Sequence, residues 1–154
     1  MLIIGVGNPS RGDDALGPLL LDQLRVELAR RGAEDRSAIA LLDAYQLQPE
    51  HALDLHGRQR VIVVDASRSG PRPFVVAEVA PLPSPAFSTH SLSPAALAAV
   101  YQRLYGTAPV LGVLAIRGER FGLGDGLSAR AAANLDAAYA WLCAELLIQA
   151  PRTP

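Results

Sequence analysis

Lysine is absent from this chain of 154 residues: all 14 basic side chains are arginine, set against 15 carboxylates for a formal net charge of −1. That balance leaves no electrostatic footprint for a nucleic acid or an anionic membrane surface. Cysteine occurs once, as Cys143, which excludes an intrachain disulfide and any thiolate metal cluster. It sits in the apolar helical run Tyr139-Ala140-Trp141-Leu142-Cys143-Ala144 and reads as a buried, inert thiol. No stretch reaches the ~18 apolar residues of a membrane span, and the apolar start lacks the basic flank of a signal peptide. A cytoplasmic protein is therefore expected. There is no Gly-x-Ser-x-Gly elbow for a serine nucleophile, and no compact His-x-x-x-His or Cys-x-x-Cys unit for a metal.

What is present is apolar and segmented. Half the residues are hydrophobic, and a chain of this length suits one domain able to bury about 68–70% of its unfolded surface. We expect a single domain over residues 1–150 and a short tail over 151–154. Strands are expected at 1–4, 39–43, 60–65, 74–79 and 110–116. Val61-Ile62-Val63-Val64 is an unbroken β-branched run, the pattern of a parallel strand buried on both faces. Helices are expected from Leu16 to about Arg31-Gly32, over 49–55, from Ser93-Pro94 onward, and over 128–148. The link over 67–73 is too short for a parallel crossover, so the fourth strand should run antiparallel to the third. The order β-α-β-α-β-β-α-β-α predicts an α/β fold with a mostly parallel sheet between helices on both faces.

The most informative segment joins the first strand to the first helix: Gly5-Val6-Gly7-Asn8-Pro9-Ser10-Arg11-Gly12-Asp13-Asp14-Ala15-Leu16-Gly17. Sheets of this class bind ligands at the carboxyl ends of their strands. Asp13 and Asp14 follow the first strand, Asp43 ends the second and Asp65 ends the third, so four carboxylates from three strands are expected on one rim. Asp13 or Asp14 alone can serve as a helix cap or first-turn charge. As a pair they repel, and a bound cation or a shared proton relieves that repulsion. Asp65 ends a wholly apolar strand and reads as a turn residue or a ligand. His51 and His56 fall in or just after a short helix and read as solvent-facing. His90, in Phe87-Ser88-Thr89-His90-Ser91, is a loop imidazole with polar neighbours, suited to metal ligation or general-base work. Two carboxylates and an imidazole make a three-point site for Zn²⁺ or Ni²⁺ with room for water or substrate.

A dinucleotide site is the obvious competitor for Gly5-Val6-Gly7. The third glycine of that fingerprint is replaced by Ser10, and Asp13-Asp14 would stand where a pyrophosphate must lie. Peptidyl-tRNA hydrolases also open with a Gly-x-Gly-Asn-Pro loop, but they need a basic surface that this chain lacks. The loop instead resembles the signature of the hydrogenase maturation endopeptidases, which trim the C-terminus of the large subunit of nickel–iron hydrogenases. The resemblance extends to Val63-Val64-Asp65-Ala66, Ser88-Thr89-His90-Ser91-Leu92, Leu111-Gly112-Val113 and Gly126-Leu127-Ser128, and so spans nearly the whole chain.

The resemblance implies a five-stranded twisted sheet with one antiparallel strand, in a three-layer sandwich. It implies an aspartyl-type endopeptidase whose partner is the hydrogenase large-subunit precursor. Asp14, Asp65 and His90 would be the metal ligands, and the metal would be nickel carried by the substrate, with another divalent ion possible in the isolated protein. Asp14, or Asp13 as general base, would serve the hydrolysis; the opening glycines would give clearance to the substrate tail and its metal. A non-catalytic, metal-dependent assembly factor for the same subunit would carry the same ligands. Two departures from the family pattern stand out. A glycine-rich turn after Asp43 is replaced by Ala44-Tyr45-Gln46, which alters the substrate cleft, and Asp14 stands where some members carry Glu.

Overall fold

The computed structural model describes residues 1–31, 38–82, 92–107 and 110–149. Strand β1 (Leu2–Val6) leads through a 3₁₀ turn (Gly12–Ala15) into helix α1 (Leu16–Arg31). Strand β2 (Ala40–Ala44), the single-turn helix α2 (His51–Asp54), β3 (Arg60–Ser67), β4 (Phe74–Glu78), α3 (Pro94–Tyr105), β5 (Val110–Arg117) and α4 (Ala129–Gln149) follow. Pro94 sits in the first turn of α3, where the Ser93 side chain accepts a hydrogen bond from Ala96 N at 3.2 Å. Gly106 ends that helix at φ 78°, a left-handed conformation that releases the last carbonyls without a Cβ clash.

The five strands form one sheet in the order β2-β1-β3-β5-β4. All adjacent pairs are parallel except β4 with β5. The expected antiparallel direction of β4 is therefore observed, but its partner is β5 and not β3. Burial explains the insertion. β5 carries Leu111, Leu114 and Ile116, all at most 1% exposed, whereas Ala77 and Glu78 of β4 face solvent. The more apolar strand takes the interior position and the more polar one the edge.

Side-chain alternation along β1 divides the core in two. Ile3 joins Ile62, Val64, Leu114 and Ile116 against α1 and α4. Leu2, Ile4 and Val6 join Val61, Val63 and Leu111 against α2 and α3. Successive residues of a strand point to opposite faces, so a buried strand must be apolar at every position. The result is an α/β sandwich of three layers whose parallel strands all end on one rim. Among the described residues no helix is long and apolar enough to cross a membrane. Cys143 is partly buried at the margin of the first core, less enclosed than expected.

Candidate metal and peptide site at the carboxyl rim

The opening loop is built around glycines because the chain folds tightly onto itself. A Cβ on Gly7, at φ 141°, would lie 1.9 Å from the Asp14 carbonyl oxygen, and one on Gly17 would lie 2.3 Å from that of Val6. These positions let the 3₁₀ turn and the start of α1 press against the end of β1. The glycines are expected to clear space for a substrate tail; the room that a missing Cβ leaves at Gly7 and Gly17 is taken by the protein's own backbone, while Gly7 also lines a cleft on the rim.

Asp13 and Asp14 are separated by that packing. The Asp13 side chain turns inward and is fully buried. Its carboxylate accepts hydrogen bonds from Glu119 N (2.6 Å), Arg120 N (2.9 Å), Ser128 N (2.7 Å) and Ser128 Oγ (2.8 Å). Burial pushes its pKa up, but the backbone donors of Ser128, Arg120 and Glu119 and the Ser128 hydroxyl outweigh that, leaving it below the ordinary range. Asp13 is thus a tether from the first loop to the β5–α4 loop and the start of α4. This corrects its expected roles. It makes no side-chain cap to its own turn, and a carboxylate enclosed with four donors is poorly placed to take a proton from water.

Asp14 faces the rim instead, where its Oδ2 accepts Asn8 N at 2.9 Å. Asp65, near the end of β3, accepts Ala66 N at 2.7 Å. Burial, with a smaller contribution from the neighbouring Asp14 charge, raises the Asp65 pKa to about 6 against the one backbone donor. Asp14, in the turn after β1, and Asp65, on β3, therefore lie close enough for their charges to repel, and no ion pair among the described residues relieves that repulsion. That donor set suits a divalent cation. Among the described residues no group of three metal-ligating side chains forms; His90, the third expected ligand, lies outside them.

The remaining candidates go elsewhere. Asp43 lies at the exposed end of edge strand β2, in an ion pair with Arg25 of α1, and does not join the carboxylate pair. His51 is half-buried, its Nδ1 accepting Gln48 N at 2.8 Å, and His56 is exposed and stacked on Tyr105 with ring centroids 4.2 Å apart. Four expected rim carboxylates thus reduce to two. On the Asp43 side of the rim a cleft of about 200 Å³ is lined by Gly7, Pro9, Pro18, Asp43, Ala44 and Tyr45. Tyr45 is 75% exposed, so the departure after Asp43 places an aromatic ring on the cleft wall. The Asp13 tether escaped the sequence because its partners lie more than a hundred residues away. The Gly126-Leu127-Ser128 element was the single local hint.

No family model matches the chain, and no curated protein matches it. Solved structures do. A [NiFe] hydrogenase maturation protease, HycI from Thermococcus kodakarensis, superposes with a TM-score of 0.72 at 24% identity, covering 96% of this chain and 92% of that one. The hydrogenase maturating endopeptidase HybD from E. coli gives 0.70 at 21% identity, covering 96% and 91%. An endopeptidase from Escherichia coli gives 0.67 at 20% identity, covering 95% and 92%. The chain has the fold of these proteins over nearly its whole length.

Proposed function

We propose that this protein is a hydrolase, an endopeptidase of hydrogenase maturation that removes a C-terminal extension from the nickel-loaded large-subunit precursor of a nickel–iron hydrogenase. The observation that carries the reading is the meeting of Asp14 and Asp65 on the carboxyl rim of a fold shared end to end with proteins described as hydrogenase maturation proteases. Asp14, Asp65 and His90 hold the substrate's nickel, and two anionic oxygens with one imidazole suit a borderline divalent ion. Gripping the metal fixes the precursor's tail relative to the rim, so binding energy becomes positioning of one peptide bond. Nickel polarises groups bound to it when present. The rim cleft receives the chain flanking that bond, with Tyr45 and the two prolines as rigid walls. Asp13 holds the loop that presents Asp14.

The test is incubation of the purified protein with nickel-loaded and nickel-free precursor, followed by weighing of the products. The expected result is loss of the C-terminal mass from the loaded precursor alone. Binding without a mass change would identify an assembly factor. Normal processing by His90→Ala would remove His90 from the ligand set.

A further inference from the structure

Three loops meet at Phe121. Arg11 lies three residues before Asp14, Arg68 three residues after Asp65, and Phe121 in the loop that follows β5. The Arg11 Nη2 donates to the Phe121 carbonyl oxygen at 3.3 Å, and the Arg68 guanidinium lies 4.2 Å from the centroid of the Phe121 ring. One residue therefore gathers two exposed cations. Their contacts leave most of their donors unused, because a guanidinium has five N–H groups and a face-on ring contact consumes none.

Neither arginine forms an ion pair among the described residues, not even with Asp14 or Asp65, and the acids of the clamp and of the loop after β5 have other partners. Asp13 is enclosed, Asp125 accepts Gly122 N at 2.8 Å, and Glu119 is held by Arg72 and Arg130. The stretch 83–91 contains no Asp or Glu. The platform is also rigid. Asp13 clamps the backbone at Glu119, Arg120 and Ser128, on both sides of Phe121. A Cβ at Gly118 would lie 2.7 Å from the Phe121 ring, so that position is shaped to let the ring fold down. Two long side chains held in place in advance lose less entropy on binding a planar anion.

We propose that Arg11 and Arg68, seated on Phe121, form a subsite that reads a carboxylate of the protein substrate while the acidic pair takes the substrate's metal. This rests on the processing function proposed above. Charge complementarity selects the group, since a carboxylate accepts paired N–H bonds from such forks. Leu123, 79% exposed two residues beyond Phe121, adds an apolar contact for the same segment. Arg11 and Arg68 act as specificity residues and take no part in bond cleavage.

The experiment measures KM and kcat on nickel-loaded precursor for the wild type, Arg11→Gln, Arg68→Gln and the double variant, with melting curves as a check on folding. The double variant is expected to raise KM roughly tenfold or more, with kcat little changed. The paired lysine variant should fall between, since it keeps the charge and loses the fork. Two altered precursors distinguish the source of the carboxylate: one with the acidic side chains of the extension changed to amides, the other with its chain terminus amidated. One of these should raise KM for the wild type and leave the double variant unaffected. An unchanged KM in the double variant, or equal sensitivity of both enzymes to both precursors, overturns the subsite alone. A wild type that never changes the precursor's mass overturns the processing function, and the subsite with it.

Discussion

Asp13 and Asp14 are consecutive residues of one short turn, identical in chemistry, and they end in opposite environments. Asp13 is enclosed by four donors that hold its carboxyl below the usual range. Asp14 lies near Asp65, and its charge makes the Asp65 carboxylate harder to keep. The first site spends its charge on holding loops together. The second keeps charge poorly compensated, and such unrelieved repulsion is what a cation can exploit. The pair teaches that stability and binding here are divided between adjacent side chains.

The comparison breaks most severely at Asp13. Asp13→Ala should cost about 3–5 kcal/mol, because it strands buried donors on Glu119, Arg120 and Ser128; denaturant unfolding reads this directly. Next comes Asp65→Asn, with the opposite sign. The Asp65 carboxyl holds its proton up to about pH 6 when folded, against an ordinary value of 3.8. The stabilisation from that retained proton is present below pH 3.8 and is lost as pH rises through 6. At pH 7 the amide should therefore gain on the order of 1–2 kcal/mol over the wild type, a gain that vanishes toward pH 4, while processing of the precursor is lost. Asp13 shows the reverse dependence: its contribution is present above the ordinary carboxylate range and disappears as acid protonates it.

Ser128→Ala removes one donor to Asp13 and the 3.1 Å bond that Ser128 Oγ accepts from Ala131 N at the start of α4. A loss of about 1–2 kcal/mol is expected by thermal unfolding. The smallest effect belongs to Arg25→Ala. Its pairing with Asp22 and Asp43 lies at the exposed end of β2, and should contribute about 0–1 kcal/mol, fading in salt. A larger loss there would mean that Asp43 belongs with the structural carboxylates.

Much of the frame is legible in the residues. Apolar runs at 61–64 and 110–116 predict parallel strands, and Ser93-Pro94 predicts the start of α3. An aspartate near the end of a buried run predicts where ligands meet the sheet. Those signals are local, carried by periodicity and by side chains acting on their own backbone. The position of β5 between β3 and β4 was not local, because it depends on which strand has more apolar surface to hide.

Hydrophobic period and strand-end chemistry are written in neighbouring residues, and they suffice for the α/β architecture, the rim and the candidacy of Asp14 and Asp65. That Asp13 turns inward while Asp14 does not is a product of long-range packing. In a 3₁₀ turn successive side chains diverge by about 120°, so one of two adjacent carboxylates must leave the rim. Which one leaves is settled by donors 106 to 115 residues away. The same long reach brings Phe121 between Arg11 and Arg68, a meeting that no spacing in the chain encodes.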